Sequence, residues 1–213
     1  MRILKVDPAK PESEAIREAA DAIRAGRLVI FPTETVYGLA ANALDAEAVR
    51  RVFEAKKRPL SMPLPVQVGD KARIAEVAVE LSRTARLLIE RFMPGPVTLI
   101  LRRNPAIPDL VASGGDTVGV RIPDNPVALA LLQEAGVPIV ATSANLSGQP
   151  DPLDADAAMK QVGGFVDVSL DAGPSLLGHA STVVDATVDP PRLLRRGALT
   201  IEQIREVIGD LVE

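Results

Sequence analysis

Four polar clusters in this 213-residue chain carry groups from which chemistry could be built. The first is Phe31–Ala40, FPTETVYGLA, where three hydroxyls (Thr33, Thr35, Tyr37) and one carboxylate directly follow a short apolar run. Ligands of open α/β sheets gather at strand ends, although threonine hydroxyls also satisfy backbone groups in plain turns. The second is Ala55–Leu64, AKKRPLSMPL, which brings Lys56 and Arg58 together where a helix should run out. A lysine point charge beside an arginine fork suits phosphate; cations at a helix C-terminus also complement its dipole. The third is Ala141–Gly148, ATSANLSG, with Thr142, Ser143, Asn145 and Ser147 after an apolar run. Such a loop can offer side-chain donors and backbone N–H groups to an anion, and it is equally an ordinary turn composition. The fourth joins His179–Thr187, HASTVVDAT, to Leu193–Gly197, LLRRG, where Arg195 or Arg196 could reach a phosphate. Arg121, inside VGVRIP, is a charge in a strand-like run, costly to bury unless paired. It calls either for a carboxylate ligand or for a structural Asp or Glu partner.

Composition removes several other chemistries. There is no cysteine, which excludes disulfides, thiolate metal sites and a cysteine nucleophile. His179 is the single histidine, so a zinc site would have to be made almost wholly of carboxylates. No serine sits on a strained nucleophile turn, no Walker loop is present and no dinucleotide fingerprint opens a helix. No metal ligands are assigned. The net charge of -4 and the 2% aromatic content count against a general nucleic-acid binder, which needs basic excess and stacking rings. The N-terminal MRILKVDPAK has no signal-peptide apolar run, and no stretch reaches the ~18 apolar residues of a membrane span. The expectation is a cytoplasmic protein without membrane contact.

Elements must position these clusters. Ile16, Ala19, Ala20 and Ile23 recur at helical spacing and Gly26 ends the helix. Leu28–Phe31 reads as a buried strand, and Pro32–Ala41 as a loop or irregular strand extension. Asp45 caps a helix with Val49, Val52 and Phe53 on one face, which Lys56 continues toward the sheet. Pro63–Val68, Val97–Leu101, Thr117–Ile122, Pro138–Ala141, Val166–Leu170, Thr182–Val188 and Arg192–Leu194 read as strands. Ala72–Phe92 reads as helix in two pieces. Asn125 with Pro126 starts a helix that Gly136 closes, and Thr200 with Gln203 makes a capping box for a last helix over about 200–212. The runs Glu12–Glu18 and Asp151–Asp156 suit solvated helix faces or caps. Strands and helices mix without strict alternation, which predicts an α/β (α+β) fold with a mixed sheet. With no repeat or Gly/Ser linker, one domain over 1–213 is expected, its core at about 12–197.

Taken in order, FPTETVYGLAANA, Lys-x-Arg-Pro at Lys56–Pro59, PGPVTLIL, DTVGVRIP, PIVATSANLSG, STVVD and LLRRG resemble the YrdC family over nearly the whole chain. The resemblance is to its short form, without the added C-terminal domain of longer relatives. It implies a twisted mixed sheet with flanking helices and a concave, basic groove on one face. It also implies a reaction: threonine and bicarbonate give a carbamate, whose oxygen attacks the α-phosphate of ATP and releases pyrophosphate. The threonylcarbamoyl group then passes to transfer RNA through partner proteins, and magnesium is carried mainly by the ATP. By the same resemblance Lys56, Arg58, Thr117, Ser143, Asn145 and Arg195 hold the nucleotide, with Lys56 and Arg58 catalytic. Thr35, Gln67, Arg121, Ala141 and Ser181 hold threonine, with Arg121 on its carboxylate. Departures fall at Gln67, where many relatives carry His, at Met62, and at Asp151, where some carry Ser. Rival readings are a double-stranded RNA-binding module of the same fold, an inactive paralogue, and a carbamoyl transferase with another acceptor.

Overall fold

A computed structural model describes residues 2–213. Its strands are β1 (Arg2–Lys5), β2 (Val29–Phe31), β3 (Gly38–Asn42), β4 (Val66–Gln67), β5 (Ala78–Val79), β6 (Val97–Arg103), β7 (Thr117–Arg121), β8 (Ile139–Ser143), β9 (Val168–Asp171), β10 (Thr182–Asp185) and β11 (Arg192–Arg195). Its helices are α1 (Ser13–Arg24), α2 (Ala46–Lys56), α3 (Ile74–Val77), α4 (Arg83–Phe92), α5 (Pro126–Ala135), α6 (Ala155–Val162) and α7 (Ile201–Ile208). The strands join in one mixed sheet in the order β1-β9-β2-β3-β8-β4-β7-β6-β10-β11, with β5 beside β6.

The expected punctuation does its work locally. Gly26 takes a left-handed φ of 70° past the end of α1. The Asp45 carboxylate accepts from the Glu47 and Ala48 N–H groups at the start of α2. Asn125 caps α5 ahead of Pro126, and the Thr200–Gln203 capping box opens α7.

Several boundaries differ from expectation for physical reasons. Gly38–Asn42, expected as part of a loop or irregular extension, is a regular strand. It is buried on both faces, so its small apolar residues show no alternation. Pro63–Val68 shrinks to Val66–Gln67, because Pro63 and Pro65 have no N–H for a ladder. The two helices of 72–92 are separated by β5 and by Glu80, which has a φ of 52°. α7 stops at Ile208, before Gly209, rather than near 212. β1 and α6 were not anticipated; Asp154 caps α6, which accounts for part of the acidic run.

Two apolar clusters lie on opposite sides of the sheet. The larger takes Leu28, Ile30, Leu39, Ala41 and Val140 against α2, α4, α6 and α7. The smaller takes the alternate residues Val29, Phe31, Ala40, Ile139 and Ala141 against α1 and α5. The smaller cluster draws nothing from β4, β7, β6 or β10. Register shows which side chains occupy that half of the same face. Gln67 pairs with Ile139, Arg121 with Gln67, and Gly119 with Ile100. Thr98 pairs with Val183, and Val183 with Arg195. Because strand side chains alternate with period two, all of these share the α1/α5 face. One half of that face is covered by helices, and the other half carries the polar residues.

Candidate active site

A cavity of about 270 Å³ sits on the uncovered half-face. Its floor includes Gln67, Thr98, Ile100, Gly119, Arg121 and Val183 from the central strands. Its walls come from the loop after β2 (Thr33, Thr35, Val36), the segment after α2 (Arg58, Pro63), the end of β8 (Ala141, Thr142, Ser143) and Asp151, Ser181 and Arg195. Of the expected site residues, Thr35, Arg58, Gln67, Arg121, Ala141, Ser143, Ser181 and Arg195 thus meet in one place.

The three cavity guanidiniums are held alike. Arg58 donates from Nε to the Met62 carbonyl at 3.1 Å and from Nη2 to the Pro63 carbonyl at 2.9 Å. Arg195 donates from Nε and Nη2 to the Ser181 carbonyl at 3.1 and 2.8 Å, and from Nη2 to Ser181 Oγ at 3.1 Å. Arg121 donates from Nε to the Gly95 carbonyl at 3.3 Å and from Nη2 to Thr35 Oγ1 at 3.0 Å. Each leaves Nη1 without an acceptor among the described residues. Each guanidinium is therefore anchored in orientation while keeping donors for an anion. Burial, and then the neighbouring Arg195 charge, lower the Arg58 pKa; burial lowers that of Arg195, with Asp151 opposing the effect and Arg121 adding to it. These like charges are close enough to feel one another, which a bound anion would relieve.

Arg121 has a second partner. Its Nη2 stands 2.8 Å from Glu34 Oε1, and both side chains are almost fully buried. The contact is an ion pair that lacks hydrogen-bond alignment, and neither Glu34 oxygen accepts a hydrogen bond. The structural-partner reading of Arg121 is thus realised, and Arg121 still lines the cavity with Nη1 uncommitted. Thr33 Oγ1 donates to the Val36 carbonyl at 2.7 Å, so the 2.8 Å contact between the two threonine hydroxyls runs from Thr35 to Thr33. The Thr35 oxygen is then left to accept from Arg121. The Leu177 and Gly178 N–H groups donate to the Glu34 and Thr35 carbonyls and hold this loop down.

Lys56 and Asn145 stand behind the cavity wall. Lys56 is 1% exposed and continues the buried face of α2. Its ammonium donates to the Ser143 carbonyl at 2.5 Å, the Asn145 carbonyl at 2.6 Å and Asn145 Oδ1 at 3.0 Å. All three N–H groups are used. The Asn145 amide donates to the Gln149 carbonyl, and Ser143 Oγ donates to Asn145 Oδ1 at 2.6 Å. Lys56 thus shapes the Ser143–Asn145 turn and lends it positive charge, while its nitrogen makes no contact with the cavity. Burial, with a smaller push from Arg58 and an opposing pull from Asp151, brings its pKa down to about 8.

Thr117 lies on the cavity face of β7 but two residues beyond Gly119, opposite Arg102, and does not line the cavity. Tyr37 is buried, donating to the Gly173 carbonyl at 2.6 Å and accepting from the Ala172 N–H, so its hydroxyl serves the fold. His179 is exposed and does not line the cavity. Thr98, Ile100 and Gly119 were missed. Their signal was parity: counting in twos from Arg121 reaches Gly119, and a lone Thr in the apolar β6 run marks the polar half-face. Gln67 lines the cavity, and its buried Oε1 has no donor among the described residues.

Among the described residues no group of three or more His, Cys, Asp or Glu could hold a metal. None of their helices is long and apolar enough to cross a membrane.

Fold and site together define an α/β domain with a cavity lined by three guanidiniums on the open half-face of a mixed sheet. The family model Sua5_yciO_yrdC, described as "Telomere recombination", matches residues 21–197. The chain is 45% identical over 200 residues to the threonylcarbamoyl-AMP synthase of Pyrococcus abyssi, covering 94% of this chain and 59% of that protein. It is 43% identical over 205 residues to the putative threonylcarbamoyl-AMP synthase of Mycobacterium tuberculosis, covering 95% and 94%. The crystal structure of P. abyssi Sua5 complexed with L-threonine matches with a TM-score of 0.97 at 43% identity, covering 100% of this chain and 62% of that one. The chain belongs to the Sua5/YciO/YrdC family, as its motif series implied. It spans about three fifths of the length of the P. abyssi protein.

Proposed function

We propose that the chain is an L-threonylcarbamoyladenylate synthase acting as one domain in the cytoplasm. The observation that carries this reading is the shared anchoring of Arg58, Arg121 and Arg195, each with Nη1 free beside one cavity. Such a cavity suits more than one anion, as a site that holds an amino acid carboxylate beside a nucleoside triphosphate requires. The relatives' names supply the substrates: the P. abyssi and M. tuberculosis proteins are called threonylcarbamoyl-AMP synthases, and the former has a threonine complex.

Arg121 takes the threonine carboxylate through Nη1, with Thr35, Gln67, Ser181 and the backbone at Ala141 around the amino acid. Arg58 and Arg195 hold the phosphates, joined by Ser143 when its hydroxyl turns from Asn145 Oδ1 to a phosphate oxygen. Lys56 and Asn145 act on them through the turn they lock, and Thr117 has no contact role in this scheme. Threonine's amine and bicarbonate combine with loss of water to a carbamate. A carbamate oxygen attacks the α-phosphorus, and the bond to the β-phosphate oxygen breaks to release pyrophosphate. Charge builds on phosphate oxygens in that step, and fixed guanidiniums stabilise it without reorganising. Holding the carbamate and the α-phosphate in one cavity supplies the orientation. ATP enters as its magnesium complex, and the product passes to proteins that modify transfer RNA.

The test is product identity. Protein incubated with ¹³C-bicarbonate, threonine and magnesium-ATP should yield a labelled carbamoyl-threonine joined to AMP by mass spectrometry. Folded protein that yields no labelled adenylate would sink the proposal. Salt-sensitive retention of double-stranded RNA by the same sample would then favour the RNA-binding reading.

A further inference from the structure

Asp151 is the one acidic side chain among the described residues that line the cavity, and it shares the cavity with three guanidiniums. Its carboxylate is within ion-pair distance of none of them and accepts no hydrogen bond. Yet it is not on a loose loop. Prolines 150 and 152 flank it and restrict φ on both sides. The Pro150 carbonyl accepts from Gln161 Nε2 at 3.0 Å, and the Pro152 carbonyl accepts from the Tyr37 N–H at 2.9 Å. The backbone thus holds an exposed, unpaired carboxylate at the wall of an anion-binding cavity.

A fixed carboxylate there repels phosphate oxygens, since like charges a few ångströms apart repel strongly outside bulk water. A divalent cation between them reverses the sign. Magnesium keeps most of its waters and is usually held by one or two carboxylates together with substrate phosphates. The residues present fit that arrangement: with one carboxylate at the cavity and no group of three acidic or imidazole ligands among the described residues, the phosphates must supply the remaining ligands. We propose that Asp151 is the protein's ligand, direct or through a bound water, for the divalent cation that arrives with the nucleotide. The proposal rests on the nucleotide-binding reading given above. It makes Asp151 the residue that selects the metal complex of the nucleotide over the free nucleotide.

The test is a set of equilibrium affinities for ATP, measured by calorimetry with magnesium and with EDTA, on the full chain and on Asp151→Asn and Asp151→Ser. Asp151 makes no hydrogen bond or ion pair among the described residues, and its charge reaches Lys56 and Arg195 only through space, so both variants should unfold close to the parent temperature. The preference for the magnesium complex, Kd in EDTA divided by Kd in magnesium, should be about tenfold or more smaller in both variants than in the parent. Metal-free ATP should bind the variants more tightly than the parent. Equal preferences, within about twofold, in parent and variants would overturn the proposal and leave the nucleotide site standing. Absence of ATP binding by the parent under both conditions would overturn both readings.

Discussion

Arg121 and Glu34 form a buried ion pair, Nη2 to Oε1 at 2.8 Å, beneath the loop that carries Thr33 and Thr35. Hydrogen bonds to the Gly95 carbonyl and Thr35 Oγ1 orient the guanidinium, the pair balances its charge, and the uncommitted Nη1 is the proposed seat of the threonine carboxylate. Removing the cation strands a carboxylate that accepts no hydrogen bond. Arg121→Met should lower unfolding stability in urea by about 3–5 kcal/mol. The double variant Arg121→Met with Glu34→Leu should recover most of that loss, because neither charge remains buried. Threonine should raise the melting temperature of the parent and of neither variant. A single variant as stable as the parent would contradict the pairing.

Lys56 gives a pH dependence with two opposite signs. Its amine releases a proton at about 8 in the folded protein, against 10.5 for an ordinary lysine. Between those values the unfolded chain keeps the proton and the folded chain does not, so this group's contribution to stability rises with pH across the window. ATP affinity should move the other way. A neutral amine has only two N–H groups for three acceptors and no longer draws phosphate. Affinity should fall about tenfold from pH 8 to about pH 9 and beyond, and Lys56→Met should abolish both trends. A parent whose ATP affinity is flat across that range would refute the assignment.

Gly197 closes the LLRRG segment against Ala180–Thr182, at the entry to β10. A Cβ there would lie 2.4 Å from Ala180 O, Ser181 C and Thr182 N, all backbone atoms. Gly197→Ala must push the two segments apart and loosen Arg195 from Ser181. It should cost about 1–3 kcal/mol of stability and weaken ATP binding. Gly164→Ala, where an added methyl meets nothing within 4 Å, is the control and should change stability by less than about 0.5 kcal/mol. Calorimetric ATP titrations and urea unfolding of both variants check this.

How much of this was legible in the sequence varied by residue. Caps and breakers act over a few positions, so Gly26, Asp45, Asn125–Pro126 and Thr200–Gln203 could be read directly. The motif series named the family and eight residues that line the cavity, together with Lys56, Thr117 and Asn145, which do not. Its limits lie in long-range geometry. Nothing near Lys56 indicates that its acceptors are carbonyls of Ser143 and Asn145, so a phosphate contact was expected where a turn is locked. Arg121 was known to need a carboxylate, but only the β4–β7–β6 register and the loop after β2 single out Glu34. β3 was hidden because burial on both faces erases the alternation that marks a strand. The polar half-face was recoverable from strand parity, given the strand order.

The most direct test of the central claim is pyrophosphate release from ATP by the purified chain with magnesium and bicarbonate, with and without threonine. The parent should release pyrophosphate only when threonine is present. Arg58→Ala with Lys56→Ala should lose that release by about a hundredfold or more, as expected when fixed charge is removed from a developing anion. Release that ignores threonine, or no release from folded parent protein, would contradict the account.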